Sequence, residues 1–178
     1  ETDAKIRAQK LDEGLEILNG LWQGQPFSFQ GQHYQLDEMT FQPTPVQTPR
    51  PPIWIAGVWG NKPPMRRAAR WDGFFPIKFG GPITPDEVRE ALKYIGEHRP
   101  SVRSSDRTDQ PLDLILDRTL PDDLAQARDL LHQYDEAGMT WWMAPLDPWA
   151  HGMPLDQPWQ PDYTKMLLDR IDRGPTKI

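Results

Sequence analysis

The chain has 178 residues, a formal net charge of -6 and no cysteine, which excludes disulfide bonds and thiolate metal sites. The acidic balance argues against a nucleic-acid partner, because binding phosphates requires clustered Lys and Arg. No apolar run approaches the roughly 18 residues of a membrane span, and no signal peptide opens the sequence. We therefore expect a cytoplasmic protein without a membrane partner.

The first 51 residues predict a helix, a hairpin and an extended connection. Residues 4–22 have apolar side chains at helical spacing, which are Ile6, Leu11, Leu15, Leu18 and Trp22. Residues 27–36, with the sequence FSFQGQHYQL, predict a hairpin that turns at Gln30–Gly31. Residues 41–51 contain four prolines, which is typical of an extended connection.

From residue 52 onward, short apolar runs alternate with helical segments. The predicted strands are Ile53–Gly57, Gly73–Ile77, Leu112–Asp117 and Met139–Ala144. The predicted helices between and after them are 63–71, 84–98, 121–137 and 162–173. This alternation indicates βαβ units and a parallel sheet, and continuous apolar runs are typical of its strands.

We therefore predict a single domain over residues 1–178. Its parts are a helix (1–22), a hairpin and Pro-rich connection (23–51), four βα units (52–145), and a Pro-rich tail with a C-terminal helix (146–178).

Three segments of the sequence then carry a family resemblance. RAQKLDEGLEILNGLWQGQPFSFQGQHYQL is followed by PVQTPRPPIWIAG and by RRAARWDGFFPI. The helix, the F-x-F/Y-x-G-x-x-Y hairpin, the Pro-rich approach and the strand ending in Ala-Gly come in the order seen in bacterial luciferase-like flavin-dependent oxidoreductases. The chain resembles this family over about residues 3–145. The resemblance implies a (βα)8 barrel that uses FMN or, alternatively, the deazaflavin coenzyme F-420.

In that family four βα units precede the helix with which this chain opens, and a full barrel takes about 200 residues or more. The resemblance thus implies the C-terminal half of a TIM-type barrel, an α/β fold whose four parallel strands are the fifth to the eighth of the barrel. We interpret Glu1, in place of Met, as a sign that the chain was cut or that residues are missing upstream.

The candidate site lies where the strands end, because barrels of this kind carry their function at the carboxyl ends of the strands. After the first strand, Gly57 and Gly60 would let the backbone approach a ligand, and neighbouring N–H groups could bind an anion. The resemblance implies that this loop contacts the phosphate-bearing side chain of the cofactor. The cofactor-binding candidates are Ala56, Gly57, Val58, Trp59, Gly60, Asn61 and Arg66. Alternatively, the glycines only turn the chain, and Arg66 belongs to a solvated helix face.

Two further cations follow the second and third strands. Lys78 and Arg118 could bind an anionic group of a substrate or cofactor, although Lys78 could be an ordinary surface lysine and Arg118 could pair with Asp117. The four histidines have no metal-binding spacing, so we expect no metal site. We assign no catalytic residue, because the bases of the family would lie on the missing half.

We therefore predict an oxidoreductase that acts on a small-molecule substrate, by monooxygenation with FMN or by hydride transfer with the deazaflavin. The alternative is a non-catalytic half-barrel, since an open sheet exposes two edges and an apolar face. Such a chain would pair with another copy or with a missing N-terminal half. A flavodoxin-like domain is disfavoured by the long helix and hairpin before the first strand.

Overall fold

The computed structural model describes residues 1–99, 111–145, 158 and 161–174. The elements of these ranges are α1 (Ala4–Leu21), β1 (Phe27–Gln30), β2 (Gln35–Met39), β3 (Trp54–Val58), α2 (Lys62–Ala68), β4 (Gly73–Ile77), α3 (Pro85–Glu97), β5 (Asp113–Asp117), α4 (Leu124–Glu136), β6 (Trp141–Met143) and α5 (Pro161–Arg173). Among these helices, none combines the length and the hydropathy that a membrane span requires. Trp149, Trp159 and most of the Pro-rich tail lie outside the described residues.

Strands β3 to β6 form a parallel sheet in sequence order, and β1 and β2 form a separate antiparallel hairpin. The predicted α/β class, with four parallel strands and covering helices, is confirmed. The strands differ from their predicted bounds mainly at the ends. β6 is shorter than expected, and β2 runs on to Met39.

Helix ends follow local sequence signals. The Thr84 hydroxyl accepts from the Glu87 N–H at 3.3 Å, and the Glu87 carboxylate accepts from the Thr84 N–H at 2.7 Å, which together form a capping box. The carboxylate of Asp123 caps α4 in the same manner. Gly138 ends the turn after α4 with a φ of 98°, a backbone angle that only glycine adopts at low cost.

One face of the sheet is covered by helices α2, α3 and α4. On that face the strands contribute alternate side chains, which are Ile55, Phe74, Leu114 and Leu116. The helices bury Val88, Ile95, Leu131 and Tyr134 against them, and all belong to one core cluster. Burying an aliphatic or aromatic side chain of this size stabilises the fold by about 1.5–3 kcal/mol.

The amino ends of β3 and β4 are tied together by a buried ion pair. The Arg50 guanidinium donates to the Asp72 carboxylate at 2.6 Å and to the Pro51 carbonyl at 2.8 Å, and both charged side chains are buried. Asp72 also accepts from the Ile53 N–H at 2.7 Å. The Arg50 guanidinium lies over the ring of Trp71. This arrangement fixes where β3 begins relative to β4.

The opposite face of the sheet is largely apolar and is partly exposed, although Ile115 within it is fully buried. It is formed by Trp54, Ala56 and Val58 of β3, Phe75 and Ile77 of β4, Asp113, Ile115 and Asp117 of β5, and Trp141 and Met143 of β6, and these positions are paired in register between β3 and β4 and between β5 and β6. We call this surface the open face. Its exposure is 40% at Val58, 39% at Ile77, 51% at Trp141 and 46% at Met143, although parallel strands are normally covered on both sides.

Helix α1 is confirmed, but most of its predicted apolar stripe is not buried. Leu15 joins the core, whereas Leu11 and Leu18 are exposed. The helix is held at its middle by polar contacts. The Glu13 carboxylate accepts from the N–H groups of Gln32, His33 and Tyr34, each at 2.9 Å at its closest, and so anchors the hairpin to α1.

Candidate functional site

The loop after β3 is a tight turn fixed to the end of β4. The Trp59 N–H donates to the Ile77 carbonyl at 2.8 Å, and the Asn61 N–H donates to the Val58 carbonyl at 3.1 Å. Gly60 has a φ of 84°, and a Cβ there would meet no atom within 4 Å. Gly60 therefore has a conformational role, and the space beside it is open.

Gly57 has a packing role that the sequence did not indicate. A Cβ at this position would lie closer than 3.0 Å to the Pro64 side chain, so the glycine lets α2 approach β3. Its neighbours Ala56 and Val58 point the other way, to the open face. The sequence does not reveal this packing role, because the contact between Gly57 and Pro64 exists only when β3 and α2 are placed side by side.

The start of α2 has few free N–H donors for an anion. Pro63 and Pro64 occupy its first turn and have no N–H, and Asn61 makes no side-chain capping bond. The N–H groups of Trp59 and Asn61 already donate within the chain. In the sequence, the two prolines are the feature that argues against phosphate binding by the loop after β3. The role of this loop in cofactor binding stays a prediction.

Lys78 joins the loop after β4 to the start of α3. Its Nζ donates to both oxygens of Glu87, at 2.6 and 2.8 Å, and to the Pro82 carbonyl at 3.3 Å. Burial alone would raise the pKa of Glu87, but the hydrogen bonds from Lys78 and Thr84 outweigh it and hold that pKa below its ordinary value of 4.5. Lys78 therefore has a defined structural partner and is not a solvated surface lysine.

Arg118 belongs to a network beneath the ends of β4 and β5. Its guanidinium donates to the Tyr134 hydroxyl at 2.8 Å, and that hydroxyl donates to the Ile83 carbonyl at 2.5 Å. The Arg118 carbonyl accepts from the Trp142 indole N–H at 2.8 Å. Tyr134 is fully buried, so its hydroxyl links the loops after β4 and β5 through the core.

Lys78 and Arg118 meet at one small cavity. β4 and β5 are paired only at their amino ends, through Gly73–Asp113 and Phe74–Leu114, and they diverge toward their carboxyl ends. The gap holds about 70 Å³ and is lined by Pro76, Lys78, Gly81, Pro82, Ile83, Leu116, Asp117 and Arg118. That volume suits one or two water molecules or one small polar group.

Arg66 is not part of this rim. It is exposed on α2 and lines a different cleft, together with Asp12 of α1 and His98 after α3. The structure therefore separates the predicted anion-binding residues into two places, with Lys78 and Arg118 at the strand ends and Arg66 in the helix layer.

A cluster at the amino end of the open face was not foreseen. The Asp113 carboxylate accepts from the indole N–H groups of Trp54, at 3.0 Å, and Trp141, at 3.2 Å, whose rings lie 5.4 Å apart. Trp141 and Trp142 are adjacent on β6 and point to opposite faces, and Trp142 packs edge-on against Tyr134 in the core. No group of three His, Asp or Glu side chains in the described ranges could hold a metal ion.

The comparisons with known proteins agree with the resemblance carried by the sequence. The oxygenase component of flavin-dependent trigonelline monooxygenase from Acinetobacter baylyi is 37% identical over 54 residues, which are 30% of this chain and 15% of that protein. The FMNH2-dependent dimethylsulfone monooxygenase of Pseudomonas putida is 35% identical over 51 residues, which are 29% of this chain and 14% of that protein. The solved structure of EDTA monooxygenase from Chelativorans sp. BNC1 aligns at 15% identity with a TM-score of 0.48, over 77% of this chain and 35% of that one.

These alignments span only a small part of the length of the curated relatives, and both of those relatives are flavin-dependent by name. The model of the luciferase-like monooxygenase family, in contrast, matches residues 2–143, which is most of the chain. The chain therefore belongs to the luciferase-like monooxygenase family.

Proposed function

We propose that the chain supplies four consecutive βα units, the C-terminal half, of a (βα)8 flavin-dependent monooxygenase. The open face is the observation that carries this proposal. A parallel sheet has both faces covered in α/β proteins, and here one face ends in exposed Val58, Ile77, Trp141 and Met143 within the segment that matches the family. In a closed barrel this face would be interior.

The chain would then provide one wall of the flavin site. Ala56, Val58 and Ile77 form an apolar strand surface that ends at the open turn of Gly60, and such a surface suits one side of a flat aromatic ring system. The phosphate end of the cofactor fits less well, because Pro63 and Pro64 remove two N–H donors from the adjoining helix. A bound reduced flavin supplies the redox chemistry, while these residues would orient it and exclude water.

We favour FMN as the cofactor, because the dimethylsulfone monooxygenase that resembles this chain depends on FMNH2. The deazaflavin coenzyme F-420 is the alternative, and with it the reaction would be hydride transfer instead of monooxygenation. The substrate would be a small organic molecule. Catalytic bases would come from the four βα units that complete the barrel.

The second candidate is a half-barrel that closes by pairing with another copy of itself. The apolar surfaces left uncovered favour it, since the open face, Leu11 and Leu18 of α1, and Leu168 and Ile171 of α5 are all exposed. The edges of the sheet, at β3 and β6, are also without a strand partner in the described chain.

The test uses the natural gene with an affinity tag at the end of its coding sequence. We expect the purified product to contain further βα units, in the same or a second polypeptide, and to bind FMN with the absorbance spectrum of an enclosed flavin. After removal of the flavin, titration with FMN and with the deazaflavin distinguishes the two cofactors. A product limited to these residues that binds neither cofactor would contradict the enzyme proposal and leave the half-barrel.

A further inference from the structure

A cleft on the outer side of the helix layer carries a group of arginines. It holds about 440 Å³ and is lined by Asp12, Pro63, Arg66, Arg67, Arg70 and His98. Helices α2 and α3 pack on the covered face of the sheet, so the cleft lies on the side away from the open face. It is therefore distinct from the flavin wall proposed above, and the inference does not rest on that function.

Charge in this cleft is unbalanced. Asp12 accepts from Arg67 through both carboxylate oxygens, at 2.7 Å from Nε and 3.1 Å from the terminal nitrogen, and it also accepts from Arg70. Burial alone would raise the pKa of Asp12, but the two arginines outweigh it and hold that pKa below its ordinary value of 3.8. Three arginines thus line the cleft with one ionised carboxylate, and the lining is net positive in a chain of net charge -6.

Arg66 differs from the other two arginines. Its side chain is exposed and makes no hydrogen bond or ion pair with any residue in the described part of the chain, so its five N–H donors face the cleft or solvent. Arg67, in contrast, is nearly buried and is fixed by Asp12 and by the Ala8 carbonyl. Asp12 therefore holds Arg67 and Arg70 in place beside the Arg66 guanidinium, which has no partner among the described residues.

His98 adds an aromatic ring to the lining of the cleft. The ring of His98 stacks on that of Tyr94 with centroids 4.1 Å apart, and His98 Nδ1 donates to the Tyr94 carbonyl at 2.8 Å. The Nζ of Lys62 lies 4.2 Å from the centroid of the Tyr94 ring and adds a further positive charge near the cleft. A fixed ring and an adjacent Pro63 provide a surface for the uncharged part of a ligand.

We propose that this cleft binds a small phosphorylated molecule. The planar guanidinium fork matches phosphate oxygens, which favours Arg66 and Arg70 as the phosphate ligands. The volume exceeds what a single phosphate group needs and falls in the range of small-molecule sites, so the organic part of a phosphate ester would lie against Pro63 and His98.

Isothermal titration with inorganic pyrophosphate, at constant ionic strength, tests the site. The variants are Arg66→Ala and, as the matched control, Arg89→Ala, since Arg89 is an exposed arginine of α3 that pairs only with Asp86 in the described chain and does not line the cleft. We expect saturable binding by the unaltered chain, about tenfold weaker binding by Arg66→Ala from the loss of a charged hydrogen bond, and unchanged binding by Arg89→Ala.

Two results would overturn the proposal, which are an absence of saturable binding and equal weakening by the control variant. Arg70→Gln is the second variant and must also weaken binding. The circular dichroism spectrum of each variant verifies that it is folded.

Discussion

The ion pair of Arg50 and Asp72 is the clearest case of single residues that determine how strands are placed. Both side chains are buried, and Asp72 holds the Ile53 N–H as well as the guanidinium. Neither partner was singled out in the sequence, because nothing in the chain order shows that residues 22 positions apart meet at the amino ends of adjacent strands. A charge so placed requires its counterion.

Asp72→Ala should therefore destabilise the chain strongly. Removing the carboxylate leaves the Arg50 guanidinium buried without its counterion, which costs about 3–5 kcal/mol in the free energy of unfolding. Urea unfolding at a fixed protein concentration measures the change. Asp86→Ala is the control, since Asp86 and its partner Arg89 are exposed, and such pairs contribute at most about 1 kcal/mol. Equal losses in both variants would show that the buried pair is not special.

The two glycines beside β3 should differ when each is replaced by alanine. Gly57→Ala forces a Cβ against Pro64, and overpacking of that kind costs about 3 kcal/mol. Gly60→Ala meets no atom and carries only the strain of a positive φ, about 1 kcal/mol. Thermal unfolding of both variants tests the order. A Gly57→Ala variant as stable as the parent would mean that α2 can move away from β3.

At the scale of elements, the parts of the fold with local signals were predictable from the sequence. The alternation of apolar runs with helical segments predicted the bounds of β4 correctly and those of α3 to within one residue at each end. Contacts between elements were not predictable. The sequence presents Lys78 as a free cation after a strand, but its partner Glu87 belongs to the next helix, and the same holds for Arg118 and Tyr134.

The hairpin and the start of α3 should make the fold sensitive to acid. Burial alone would raise the pKa of Glu13 and of Glu87 above the ordinary 4.5. The backbone N–H groups of residues 32–34 outweigh burial at Glu13 and hold its pKa below that value. Hydrogen bonds from Lys78 and Thr84 do the same for the pKa of Glu87. Between the lowered pKa values of the folded chain and 4.5, the unfolded chain therefore binds more protons than the folded chain. The stabilising contribution is complete above pH 4.5 and is lost as the pH falls through the lower folded pKa values.

We expect Glu13→Gln to reduce this acid sensitivity. The midpoint of urea unfolding should fall between neutral pH and about pH 3 in the parent, and by less in the variant, because one depressed carboxylate has been removed. Glu16→Gln is the matched control, since Glu16 is an exposed glutamate of the same helix. If both variants lose as much stability in acid as the parent, the hairpin anchor does not contribute.

At the scale of the whole molecule, the main feature is the exposed apolar surface of the open face. The fold class and the four parallel strands were predictable, because apolar runs alternating with helices have few other solutions. What covers the open face is not encoded locally, since Val58, Ile77, Trp141 and Met143 have the same apolar character whether they meet a second half or another copy. A surface of this kind promotes association in water.

The measurement that tests the interior nature of the open face most directly is sedimentation velocity of the 178-residue chain over a range of concentrations. The double variant Val58→Glu/Met143→Glu places charges on the open face, and Val46→Glu/Leu124→Glu places the same charges at exposed apolar positions away from the sheet. We expect the parent and the second variant to associate as the concentration rises, and the first variant to remain monomeric with an unchanged circular dichroism spectrum. A parent chain that stays monomeric throughout, or loss of association in both variants, would contradict the assignment of this face to the inside of a barrel.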